Sequence, residues 1–68
     1  MTIGYTVTGS TMSLDAATTD ALDERHDASD RSAVEREIAT DAELLAASLG
    51  RRVTVETANG IELRRFAR

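Results

Sequence analysis

The sequence predicts a small α+β domain, a three-stranded sheet with two helices on one face, in the order strand–helix–helix–strand–strand. Three observations predict it: apolar and threonine residues alternate over residues 2–8, apolar residues recur at helical spacing between residues 14 and 49, and two β-branched segments flank Asn59-Gly60. We expect residues 1–68 to form a single domain, because a chain of 68 residues has room for one core.

The first strand is predicted by "TIGYTVT", in which Ile3, Tyr5 and Val7 alternate with threonines, as in a half-buried strand. The following "GST" ends this pattern. From Ser13 onward the spacing becomes helical, which predicts a first helix. The residues that share one face of this helix are Leu14, Ala17, Ala21, Leu22 and Arg25.

The second helix is predicted after the break "HDASD", where Ser32 and Glu35 have the spacing of a capping box. Gly50 is positioned to end this helix in a left-handed conformation. Its apolar face consists of Val34, Ile38, Ala42, Leu45 and Leu49.

The register of the C-terminal hairpin follows from its aliphatic residues. A two-residue Asn59-Gly60 turn would place the aliphatic residues of the two strands on opposite faces. A three-residue loop over residues 58–60, with Gly60 left-handed, pairs Val55 with Leu63 and unites them on one face. We therefore predict the three-residue loop. The shared aliphatic face is Val53, Val55, Ile61 and Leu63, and the opposite face is Thr54, Glu56, Glu62 and Arg64.

Charge is divided unevenly along the chain. Residues 1–50 contain ten carboxylates and three arginines, a formal charge of −7, whereas residues 51–68 contain five arginines and two glutamates, a charge of +3. Two interpretations remain open. The arginines neutralise the acidic helices of their own chain, or they form an electrostatic footprint for nucleic acid or an acidic partner.

Catalytic and metal sites are not indicated. His26 is the only histidine, and there is no cysteine, so the ligand sets of zinc sites are missing. Asp23 and Asp30 flank His26 at helical spacing, but acidic neighbours at a solvated helix end are the commoner arrangement. We expect neither enzymatic activity nor a metal or cofactor.

Residues 10–38 resemble the ribbon-helix-helix family of dimeric DNA-binding regulators. The matching pieces are a short strand ending in "SLD", a helix containing "ALDER", and a second helix opened by "RS". The resemblance implies that Thr11 and Ser13 face the bases of DNA, that Met12 and Leu14 lie in the core, and that Ser32 lies near a phosphate.

Residues 44–65, "LLAASLGRRVTVETANGIELRR", resemble the opening helix and first two strands of an Sm-like RNA-binding fold. Helices followed by a hairpin also resemble a winged helix, with the hairpin as its wing. Both resemblances imply nucleic acid as the partner.

We therefore expect a cytoplasmic, dimeric regulator of transcription or of a phage or mobile element that binds DNA. The alternative is a protein–protein interaction module, an inhibitor or adaptor, that binds no nucleic acid. A homodimer is expected because only 16 large apolar residues, leaving out Met1, are available for the core of a chain without disulfides. No membrane partner is expected, because no apolar run is long enough to span a bilayer. The candidate nucleic-acid-binding residues are Arg51, Arg52, Arg64, Arg65, Arg68, Thr11 and Ser13.

Overall fold

The computed structural model describes residues 3–66, so the candidate Arg68 lies outside the described residues. The predicted α+β class is confirmed: a three-stranded sheet, a short helix and a long helix are present. A short 3₁₀ helix, Arg64–Phe66, follows the sheet. In chain order the other elements are β1 (Tyr5–Thr8), β2 (Thr11–Leu14), α1 (Ala16–Ala21), α2 (Ala28–Leu49) and β3 (Thr54–Glu56).

An N-terminal hairpin is the main departure from the predicted order. β1 and β2 pair antiparallel, with Thr8 opposite Thr11 across a two-residue loop. Gly9 has a φ of 60° at the first central position of this loop, which is the glycine position of a type II′ turn. The prediction that the first helix starts at Ser13 was wrong, because Ser13 belongs to β2. A four-residue strand is too short for its alternation to stand out from a helical pattern.

The sheet is mixed, with strand order β1-β2-β3. β3 lies parallel to β2, with Met12 opposite Val55. A parallel pair needs a crossover connection, and here both helices supply it.

The first helix is shorter than its apolar spacing suggests. Asp15 is the N-cap: its Oδ1 accepts a hydrogen bond from the backbone N–H of Thr18 at 2.7 Å. Hydrogen bonds from Thr18 hold the pKa of Asp15 below its usual value. At Asp23, hydrogen bonds from Arg25 lower the pKa of the carboxyl in the same way. The helix ends at Ala21, so Arg25 lies outside it, contrary to the prediction.

The second helix begins four residues before the predicted Ser32. Asp27 is its N-cap, and the Asp27 Oδ1 accepts the N–H of Ser29 at 2.8 Å. Ser32 lies in the second turn, so the capping-box prediction was wrong. Arg31 donates hydrogen bonds to the backbone carbonyls of Glu24 and His26, which fixes the connection between the helices. The predicted end is confirmed, because Gly50 is the C-cap with a φ of 66°.

The predicted register after β3 is confirmed. Leu63 N–H donates to the Val55 carbonyl at 2.7 Å, Thr57 N–H donates to the Ile61 carbonyl at 2.9 Å, and Gly60 has a φ of 81°. The returning segment forms an isolated bridge at residue 62 instead of a full strand. Ile61 is 62% exposed, so its predicted place on the buried face was wrong.

The core lies between one face of the sheet and the helices. Its side chains come from β2, both helices, the 3₁₀ helix, β3 and the residue that precedes β3: Met12, Leu14, Ala21, Val34, Ile38, Ala42, Val53, Val55 and Phe66. Among residues 3–66, no helix is long and apolar enough to cross a membrane.

Candidate binding surface on the open face of the sheet

The sheet has one covered face and one open face. Met12, Leu14 and Val55 are buried against the helices. Because side chains alternate along a strand, their neighbours point to the other face. Both α-helices and the 3₁₀ helix contribute to the core, so within the described residues the elements outside the sheet pack on the covered side. The open face consists of Thr6, Thr8, Thr11, Ser13, Thr54 and Glu56.

The side chains of the open face form two rows that contain hydroxyl groups, called here the hydroxyl rows. The strand pairing places Thr6 opposite Ser13, and Ser13 opposite Glu56. This row continues to Glu62 through its bridge with Glu56. The second row consists of Thr8, Thr11 and Thr54. Neighbouring strands lie about 4.8 Å apart, so the hydroxyls of one row are spaced for contacts with a single extended ligand.

Two of the candidate arginines adjoin these rows. Arg52 and Arg64 line a shallow depression together with Thr54 and Glu62. Thr54 lies opposite Thr11 in the sheet. The structure therefore brings Thr11, Arg52 and Arg64 onto one surface, although they came from two unrelated patterns in the sequence.

Arg51 and Arg65 do not line this depression. The Arg65 guanidinium lies 3.8 Å from Glu35 Oε1 of α2 and 5.1 Å from the centre of the Phe66 ring. Arg51 is exposed just after α2, and its backbone N–H donates to the Ala46 carbonyl at 3.3 Å. The four described arginines of the C-terminal segment, Arg51, Arg52, Arg64 and Arg65, thus do not line one depression together.

Carboxylates balance the positive charge of the open face. Arg52 and Arg64 contribute two positive charges, and Glu56 and Glu62 contribute two negative ones. The predicted register already placed Glu56, Glu62 and Arg64 on one face, but these glutamates were not among the candidate site residues. The signal that identifies them is the period-2 spacing, which puts Glu56 on the same face as Thr54 and Glu62 on the same face as Arg64.

His26, the only histidine of the sequence, has an exposed acidic neighbour. His26 Nε2 lies 3.3 Å from Asp20 Oδ2, and the pair is exposed. In the part of the chain that the structure describes, there is no group of three or more metal-ligating side chains.

The position of β2 bears on the ribbon-helix-helix resemblance. Met12 and Leu14 are buried, as the resemblance implies, and Thr11 and Ser13 are half-buried on the open face. β2 has β1 on one side and β3 on the other, so both of its edges are paired within the chain. In that family the corresponding strand pairs with a second copy, so the resemblance stays a hypothesis.

Comparison with known proteins gives no relative. The chain matches no protein-family model, no curated protein and no solved structure.

Proposed function

We propose that this protein is a small non-enzymatic interaction module, an adaptor or inhibitor, that binds a protein partner on the open face of its sheet. The observation that supports the proposal is the mixed charge of this surface. Arg52 and Arg64 line the same depression as Glu62. Glu56 lies opposite Glu62 in an isolated backbone β-bridge.

Mixed charge favours a polypeptide over a polyanion. Every phosphate placed near Arg52 or Arg64 also lies near a carboxylate, and like-charge repulsion offsets the attraction. A polypeptide segment with charges of both signs meets a complementary group at each position. The net charge of −4 acts in the same direction, because it disfavours the long-range approach of nucleic acid.

The hydroxyl rows define the chemistry of the partner further. Threonine and serine hydroxyls both donate and accept hydrogen bonds, so the rows suit the amide groups of a peptide. We infer an extended partner segment that crosses the strands and places a carboxylate at Arg52 and Arg64.

DNA binding by a dimeric regulator is the second candidate. One observation favours it: the open face joins Thr11 and Ser13 to Arg52 and Arg64, and these are residue types that contact phosphates. In this alternative, the arginines would position the phosphate backbone of DNA on the hydroxyl rows.

A titration with fluorescent duplex DNA at two salt concentrations separates the candidates. We expect no binding at low salt. Binding that falls steeply with salt and is lost in Arg64→Glu would promote the DNA-binding candidate.

Capture of cellular partners on immobilised protein tests the interaction module. Arg64→Glu should abolish retention of the partner. Arg36→Glu is the control and should still retain it, because this substitution changes the charge equally at an exposed residue of α2. Equal retention by both variants would exclude the open face as the binding surface.

A further inference from the structure

The two edges of the sheet differ in their protection. The outer edge of β3 is covered by the returning segment, in which Leu63 N–H donates to the Val55 carbonyl at 2.7 Å. β1 is the other end strand, and within residues 3–66 no strand pairs with its outer edge. All four residues of β1 are exposed. An uncovered edge strand is a template for pairing with another chain.

The backbone groups that face outward can be identified from the hairpin. The Gly4 carbonyl accepts a hydrogen bond from Asp15 N–H at 2.9 Å, and Thr8 closes the two-residue loop opposite Thr11. Hydrogen-bonded pairs alternate along an antiparallel ladder, so the even-numbered residues of β1 bond to β2. Tyr5 and Val7 therefore direct their N–H and carbonyl groups away from the sheet.

The hairpin lacks the charged side chains and proline that commonly protect an edge strand. Residues 1–14 contain no charged side chain and no proline, in a chain of which 29% of residues are charged. Natural edge strands are commonly protected by lysine, proline or a bulge. This neutral segment is also where two copies, each with a net charge of −4, meet with the least repulsion.

Apolar surface lies beside the free edge. Tyr5 and Val7 are 38% and 43% exposed. The Tyr5 hydroxyl donates to Asp41 Oδ2 on α2 at 3.0 Å, which holds the ring on the helix side of the sheet. Leu44 follows Asp41 by one helical turn and is 65% exposed.

We propose that a second copy of this chain pairs antiparallel with β1 at this edge. The pairing places Tyr5 of each copy opposite Val7 of the other, with Thr6 of both copies at the twofold axis. This register matches outward-facing groups with outward-facing groups, so each Tyr5–Val7 pair exchanges two backbone hydrogen bonds. It also keeps Tyr5 and Val7 of both copies on the helix side, where their exposed apolar surfaces meet.

The assembly is a six-stranded sheet with a continuous open face. The hydroxyl rows of the two copies adjoin across the axis, and the depressions at Arg52 and Arg64 lie at the two outer ends. This inference does not depend on the function proposed above, because the open face remains free in the dimer.

Sedimentation equilibrium of the full chain tests the assembly. We expect a dimer with a dissociation constant on the order of micromolar, because the interface is small. Val7→Lys should raise the dissociation constant at least about tenfold, since it places two like charges at the pairing edge. Asn59→Lys makes the same change in charge on the exposed loop after β3 and should leave the dimer intact. A monomer at millimolar concentration, or equal dissociation constants in the two variants, would overturn the proposal.

Oxidative crosslinking tests the register and does not depend on the folding of Val7→Lys. The chain has no cysteine, so Thr6→Cys introduces a single thiol at the proposed axis. Non-hydrogen-bonded pairs have Cα atoms about 4.5 Å apart, within the range of a disulfide. We expect a covalent dimer from Thr6→Cys and a monomer from Thr54→Cys, which lies in β3 on the same face. Equal crosslinking of both variants would refute the Thr6 axis.

Discussion

Gly4 lies against the side chain of Asp15 so closely that a Cβ atom at residue 4 would come 2.1 Å from Asp15 Oδ2. The backbones of the two residues are also joined, because Asp15 N–H donates to the Gly4 carbonyl at 2.9 Å. Gly4 N–H in turn donates to Oγ1 of the buried Thr18 at 2.9 Å. These contacts attach the start of the hairpin to the first turn of α1.

Gly4→Ala should therefore lower the free energy of unfolding by about 1–3 kcal/mol, because the new methyl group displaces the capping carboxylate. Urea denaturation measures the loss. The penalty should shrink in an Asp15→Ala background, where the obstructing oxygen is gone. An equal penalty in both backgrounds would show that the backbone of residue 4, and not the contact with Asp15, is responsible.

Acid should destabilise the protein partly through Asp15. Hydrogen bonds from Thr18 lower the pKa of Asp15 in the folded state. Its contribution to stability is therefore complete above the unfolded pKa of about 3.9 and is lost as pH falls through the lower folded pKa. Asp15→Asn retains an N-cap and removes this titration. Thermal melts between pH 5 and 2 should show a shallower acid dependence for Asp15→Asn than for the wild type.

The sequence predicted an element correctly where a single arrangement satisfied its pattern, and failed where two arrangements did. The register after β3 was predictable, because only one register places Val55 and Leu63 on the same face. The strand Thr11–Leu14 was not, since Leu14 is also compatible with the helical spacing of the residues that follow it. The start of α2 was misplaced because two capping sequences compete there, and Asp27 precedes Ser32.

The sequence predicted individual residues of the candidate site, but not that the pairing of the strands brings them together. Thr11 and Arg52 are far apart in sequence, and the parallel pairing of β2 with β3 brings their surfaces together. A parallel pair joins segments across a long crossover, so no local pattern indicates it. The ion pair between Arg65 and Glu35 of α2 could not be predicted from the spacing of residues in the sequence either.

Gly60→Val should destabilise the domain by about 1 kcal/mol or more, because a β-branched residue resists the left-handed conformation seen at this φ of 81°. Gly60→Asn should have a smaller effect, since asparagine tolerates that conformation. Chemical denaturation of the two variants gives the comparison. Equal losses would indicate that the side chain at residue 60, and not its backbone, determines stability.

The last prediction concerns how far the C-terminal arginines stabilise their own fold. Arg65 and Glu35 form an ion pair at 3.8 Å, with side chains 53% and 39% exposed. Solvent screens such a pair, so Arg65→Ala should lower the free energy of unfolding by less than about 1 kcal/mol, and the loss should shrink in high salt. Phe66, which lies beneath the guanidinium and is only 6% exposed, should behave differently: Phe66→Ala should cost about 3–5 kcal/mol regardless of salt. Denaturation at low and high salt separates the two contributions. A loss for Arg65→Ala as large as that for Phe66→Ala would contradict this prediction and would mean that the ion pair with Glu35 is required for folding.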